Sequence, residues 1–333
     1  MVADVLAIYL MDKGSEIVTI KKAAGRVKIL LSWWGDKTLA QVNGKSCRDY
    51  LKFRTDQPIR HAITSTRKVT AQAVRRELQD FRAAINHHKK EGLCSQEIDV
   101  WLPERSSPKD VFLTRSEAAR LLYAAWTRKE KQKRKHDGID SDEKVETRKR
   151  TTQHIARFIL VGLYTGTRHD AICGASFEPD NDRSWIDLKK GVFHRLRQGK
   201  KATKKQQPPV RLPDRLMLHL RRWHKLGIAK NAVVEWNGRP IHSVKVGFAS
   251  CVRDAQLAKH VTPHTLRHTS ATWLMDEGCK VWDAAGYLGM SAQVLESTYA
   301  KHHPDYQIGM LDAFRSPGAR RINKEPAKPP EKV

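Results

Sequence analysis

One run near the C-terminus limits the folds open to this chain more than any other: TPHTLRHTSATWLMDEGCKVWDAAGYLGMSAQVLESTY, from Thr262 to Tyr299. Thr262 followed by Pro263 is a helix-start signal, because a hydroxyl caps free backbone amides and proline suits the first helical position. The pattern therefore predicts a helix opening at His264. Leu266, Ser270, Trp273 and Leu274 form the stripe that faces a core, with His264 and Arg267 one turn apart on its flank. Gly278 closes this helix, and Ser291 caps another whose Val294, Leu295 and Thr298 are expected to point inward. Tyr299 follows Leu295 by one turn. Bland readings compete: an isolated tyrosine extends an apolar stripe more often than it does chemistry. His264 and His268 have the spacing of zinc ligands, but Thr265 stands where a zinc protease needs its glutamate, so no metal is expected.

A second constraint lies upstream in HIARFILVGLYTGTRHDAICGASF. Ile155, Ile159, Gly162 and Leu163 recur at helical spacing, Thr165-Gly166-Thr167 breaks the helix, and Arg168 follows the break. An arginine after a turn is ordinarily just solvated. Between the two runs, WIDL and GVFHRLR alternate like short strands, and GKKATKKQQPPVRLP reads as a basic hairpin leading into a third. Asp214 is expected to cap a helix through Leu218 and Trp223, and Val244 to Leu257 gives another.

A net charge of +26 on 333 residues implies a polyanionic partner, and nucleic acid leads. An anionic membrane is the competitor, but no long uncharged apolar run exists, and Asp4 and Asp12 sit in the first helix where a signal peptide is basic and apolar. The chain is expected to be neither secreted nor spanning. Cys47, Cys94, Cys173, Cys251 and Cys279 are odd in number and scattered, which suits reduced thiols in a cytoplasm rather than disulfides or a metal knuckle.

The N-terminal part reads as a helical module. Ile20, Ala23, Val27, Leu30, Leu31 and Trp34 predict an amphipathic helix ended by Gly35; Cys47 to Arg54 gives a shorter one. Val74, Leu78, Phe81 and Ile85 give a longer helix carrying Arg67, Lys68, Arg75, Arg76 and Arg82. Such basic faces suit phosphates, although any single cation is more often merely solvated. ERSSPKDV is an exposed linker, and Thr114 with Glu117 forms a capping box that opens the second domain. The mixed-charge run 128–150 offers almost nothing apolar to bury and is expected to be a solvated insertion, while the proline- and charge-rich tail after Ser316 is expected to be disordered.

Taken together, T-G-x-R at Arg168, H-x-x-R at His264 and Arg267, L-G-x at Leu288-Gly289-Met290 and the following Tyr299 resemble the motifs of the tyrosine recombinases, the phage integrase family. The resemblance implies a mainly α chain with a small antiparallel β-sheet. A helical, SAM-like core DNA-binding domain over 1–106 would precede an α+β catalytic domain over 107–316, with 317–333 as tail. It implies that Tyr299 attacks a DNA phosphate to give a 3′-phosphotyrosine, conserving the bond energy so that no cofactor is needed. Arg168 and Arg267 would hold the non-bridging oxygens. His264 would be the base and a hairpin lysine the acid, Lys204 first, with Lys201 and Lys200 close behind. Lys200, Lys201, Lys205, Arg75 and Arg76 would add DNA contacts. The implied partner is double-stranded DNA at attachment-type sites, bound by a homotetramer on synapsed DNA that is a monomer when free, with accessory DNA-bending proteins as further candidates. No arm-site-binding domain is expected before the helical module. The reaction would integrate or excise a mobile element; a type IB topoisomerase and a DNA-binding protein without catalysis are the alternatives. Two positions depart from the family pattern. Ala171 stands where an acid is usual, with Asp170 beside it, and Met290 stands where a histidine or tryptophan is usual. A thioether cannot donate a hydrogen bond to phosphate, so packing is the expected role of Met290.

Overall fold

The computed structural model describes residues 1–16, 20–59, 67–106, 111–136, 139–197 and 206–300, with the backbone alone for 134–136, 139–144 and 299–300. Lys200, Lys201, Lys204 and Lys205, the boundary expected near Ser107 and the C-terminal tail lie outside the described residues. The chain divides into two units, Met1–Pro108 and Lys109–Val333.

The first unit packs α1 (Val2–Lys13), α2 (Ile20–Trp34) and α3 (Gly44–Thr55) against the long α4 (Ala71–Lys90). Asn43 and Thr70 accept the free amides of Ser46 and Ala73 and so fix where α3 and α4 begin. Val5, Leu6, Val27, Leu30, Trp34, Tyr50, Leu78 and Phe81 form the core. Ile20 and Leu31, expected inside, are each 38% exposed, since the buried stripe of α2 runs through Ala23, Val27, Leu30 and Trp34 instead. Lys68 also lies outside α4, in an isolated bridge with Pro58.

In the second unit α5 (Arg115–Thr127) opens on the Thr114–Glu117 capping box. The next segment is regular where its sequence pattern suggested no secondary structure. Residues 129–136 and 139–150 form a two-stranded antiparallel ribbon, β1 (Lys129–His136) with β2 (Ile139–Arg150). Ladder hydrogen bonds hold its backbone, and its charged sequence leaves no apolar alternation to read. The central helix α6 (Gln153–Thr165) buries Ile155, Phe158, Ile159 and Val161. It approaches α10 (Thr265–Asp276) closely at Gly162, where a Cβ would lie 2.8 Å from Leu266 Cδ1. A short α7 (His169–Gly174) follows. Then comes the three-stranded sheet in the order β3 (Trp185–Asp187), β4 (Val192–His194), β5 (Val210–Arg211), antiparallel throughout.

The remaining elements are α8 (Asp214–Lys225), the small hairpin β6 (Glu235–Trp236) and β7 (Arg239–Pro240), α9 (Lys245–Asp254), α10, α11 (Val281–Leu288) and α12 (Ala292–Leu295). Asp214 is not a cap: Pro213 holds that position and Asp214 is the first helical residue. Leu218 is 67% exposed while Trp223 is buried. A π-helical turn, Glu296–Ala300, carries the backbone of Tyr299. Among the described residues no helix is long and apolar enough to cross a membrane.

Candidate phosphate-binding site

The site is built where two helix ends meet. Helix α6 ends at Gly166, whose φ of 57° lies in the left-handed region, and a Cβ there would fall 2.3 Å from Leu288 Cδ2. Glycine is thus required both by conformation and by space. The turn is stiffened by the buried Thr165 hydroxyl, which donates to the Val161 carbonyl at 2.6 Å and lies 2.7 Å from the Thr167 hydroxyl. This delivers Arg168 to the start of α7. Helix α11 ends at Gly289 with φ 68°, again left-handed, leaving the carbonyls of Leu288 and Gly289 unpaired within the helix.

Those carbonyls are taken by the two arginines. Arg267, 5% exposed, donates through Nη1 to Gly166 O at 2.8 Å and Leu288 O at 2.5 Å, and through Nη2 to Gly289 O at 3.1 Å. Arg168, half-buried, donates through Nη1 to Gln206 O at 2.8 Å and through Nη2 to the same Gly289 O at 3.3 Å. One carbonyl therefore holds both guanidiniums side by side. Burial holds the Arg168 pKa below the usual arginine value. Gln206 is the first described residue after the hairpin lysines, and its carbonyl meets Arg168.

His264 is placed differently from expectation. The Thr265 hydroxyl accepts from the Thr262 amide at 3.0 Å, closing a turn before the helix, so α10 begins at Thr265 with His264 in the capping position. His264 as a residue is exposed, yet its ring stands edge-on to His268, with centroids 4.8 Å apart. Ring burial, then His268, Arg267 and Arg168, push its pKa down to about 4. The imidazole is thus neutral at neutral pH. Met290 packs with Ala271, Met275, Leu288 and Leu295, and so joins the cluster that seats α12. Ser291 caps α12 by accepting from the Val294 amide, and Leu295 is buried; Val294, expected inward, is 51% exposed.

Asp170 does not meet either arginine. It pairs with His169 at 2.8 Å, and the His169 Nε2 faces Cys173 Sγ at 3.6 Å. This arrangement has the outline of a nucleophilic triad, but burial pushes the Cys173 thiol up to about 12, so no thiolate is available at neutral pH. In the first unit, Arg75 donates to the Pro103 carbonyl and braces the segment after α4, whereas Arg76 is exposed. Among the described residues no cluster of His, Cys, Asp and Glu has the make-up to hold a metal ion.

Sequence reasoning missed Arg195. It is 4% exposed and donates through Nη2 to the Thr165 carbonyl at 2.9 Å. Burial, then Arg267 and Arg168 nearby, push its pKa down to about 10. The signal was present in GVFHRLR: strand alternation puts Arg195 on the same face as the fully buried Phe193.

No family model matches the chain, and no curated protein is similar in sequence. Solved structures share its fold. The Tn1549 transposon integrase in complex with transposon right end DNA is 16% identical, with a TM-score of 0.69 over 94% of this chain and 98% of that one. Lambda integrase bound to DNA is 14% identical, with a TM-score of 0.61 over 91% and 97%. The chain has the tyrosine recombinase fold, mostly helical with small antiparallel sheets.

Proposed function

We propose that the chain is a site-specific tyrosine recombinase that breaks and rejoins duplex DNA, integrating or excising a mobile element. The observation that carries this reading is the Gly289 carbonyl, which holds Arg168 and Arg267 side by side at 3.3 and 3.1 Å, one helix before the turn bearing Tyr299. A phosphodiester repels nucleophiles, and attack moves further charge onto its non-bridging oxygens. Two preorganised guanidiniums stabilise that charge without reorganising at the moment of reaction.

In this reading the Tyr299 oxygen attacks phosphorus, the bond to the 5′ oxygen breaks, and the DNA 3′ end is left on the tyrosine. The tyrosine proton passes to His264, which is neutral and able to accept it. A bound phosphate offsets the repulsion from Arg267 and Arg168 and so raises the His264 pKa toward its ordinary value, strengthening it as a base. Lys204, two residues before Gln206 in the chain, protonates the leaving 5′ oxygen. Reversal by a second 5′ hydroxyl rejoins the strand, so the cycle consumes no nucleotide. Double-stranded DNA is the substrate, the free protein is a monomer, and four copies act on a synapsed pair of sites. The hairpin lysines, Arg75 and Arg76 contact the DNA backbone.

The test uses duplexes cut from the DNA flanking the gene and nicked so that a cleaved end drifts away. Wild type should accumulate a covalent adduct on denaturing gels, and Tyr299→Phe should bind the same DNA without forming it. Tyr306→Phe, the nearby control, should behave as wild type. An adduct that survives Tyr299→Phe and disappears with Tyr306→Phe moves the nucleophile; relaxed topoisomers without recombinants favour a nicking-closing enzyme.

A further inference from the structure

Arg195 takes no part in the scheme above, yet it lies against both turns that aim the phosphate-binding pair. Its Nη2 holds the Thr165 carbonyl, one residue before the Gly166 carbonyl that takes Arg267. Its Nη1 is 3.5 Å from where a Cβ on Gly289 would stand, and the Gly289 carbonyl is the one Arg168 and Arg267 share. The guanidinium also lies over the Tyr287 ring at 6.0 Å, and the Tyr287 hydroxyl donates to the Tyr164 carbonyl at 2.9 Å. Its Nε is buried without a hydrogen-bond partner among the described residues. One carbonyl and a ring face satisfy some of its donors and leave its charge uncompensated, which is costly in a protein interior unless an anion completes the site.

We propose that Arg195 is a positioning residue of the phosphate site, bracing the Thr165–Arg168 turn against the Leu288–Gly289 turn and adding a third fixed positive charge beneath the scissile phosphate. At 4% exposure it acts through Arg168 and Arg267 and through its field rather than by touching DNA. The proposal rests on the tyrosine recombinase reading.

The test extends the capture assay, once that assay has located the scissile phosphate. Wild type, Arg195→Lys and Arg195→Met are compared at saturating DNA, on the ordinary phosphate and on a neutral methylphosphonate at the same position. Arg195→Met should slow adduct formation roughly 10-fold or more on phosphate, with DNA affinity held, because misplaced or weakened charge stabilisation acts on the chemical step. Arg195→Lys, which keeps the charge, should recover much of that loss. On the methylphosphonate the Arg195→Met deficit should shrink, since less charge develops there. An equal deficit on both substrates, or equal defects in the two variants with melting temperatures falling together, makes Arg195 a structural brace and overturns the proposal. Wild-type adduct with an unimpaired Arg195→Met sinks the proposal alone, whereas no wild-type adduct on any flanking duplex sinks the recombinase reading and this proposal with it.

Discussion

Arg54 in the first unit and Arg195 in the second are buried alike, at 7% and 4% exposure, and are treated in opposite ways. Arg54 meets the Glu77 carboxylate through Nη2 at 2.7 Å and Nε at 3.0 Å, and Tyr50 donates to the same carboxylate at 2.6 Å. The hydrogen bonds and charge of Glu77 hold the Arg54 pKa above its ordinary value. Arg195 donates to a carbonyl, and burial holds it well below. Arg157 is intermediate: it donates to the Val233 and Glu235 carbonyls, and burial lowers it while the Glu235 charge pulls the other way. A carbonyl satisfies a donor, but only a carboxylate or phosphate satisfies the charge. A structural arginine is therefore expected to bring its own anion, and an arginine kept for a substrate to leave that place open.

The largest effect should come from breaking the closed network. Glu77→Gln leaves Arg54 buried and unneutralised, which costs about 3–5 kcal/mol. Urea unfolding followed by the fluorescence of Trp33 and Trp34 in α2 should show the loss, with cleavage per folded molecule unchanged. A loss below about 1 kcal/mol would mean that the carboxylate contributes no more than an exposed pair.

The turns and caps around these arginines were readable in the sequence, although the arginines' own partners were not. The T-G-x-R break and the L-G turn demand left-handed glycines, and both Gly166 and Gly289 have them. Capping chemistry located α5 and α12 through Thr114 and Ser291. What escaped depends on partners distant in sequence. Strand alternation marks Arg195 as inward-facing, but its role depends on Thr165 and Gly289, which only the fold brings against it. The β1–β2 ribbon is held by ladder bonds that leave no side-chain pattern. The turn between β6 and β7 did carry a local signal, since Asn237 and Gly238 both adopt positive φ, as an Asn-Gly hairpin requires.

A smaller effect should follow pH. His154 packs against Trp236 with its Nδ1 unpartnered among the described residues, and burial pushes its pKa down to about 4 from an ordinary value of 6.5. Between those values the unfolded chain binds the extra proton and the folded one does not, so stability falls as pH drops through 6.5 toward 4. The loss is at most about 3 kcal/mol. His264 shifts in the same direction. His154→Phe, which keeps a ring and removes the titration, should flatten this slope in urea midpoints measured across the window; an unchanged slope would assign it to other groups.

The most direct test of the open-charge account is Arg168→Met, melted without DNA and assayed for cleavage with it. Arg168 donates to the Gln206 and Gly289 carbonyls and has no carboxylate partner among the described residues, so removing its charge should leave the melting temperature within a few degrees of wild type. Adduct formation should fall roughly 100-fold or more, the loss expected for a donor to developing charge. A melting temperature that drops as far as that of Glu77→Gln, with cleavage per folded molecule preserved, would show that Arg168 is a structural arginine and contradict the account.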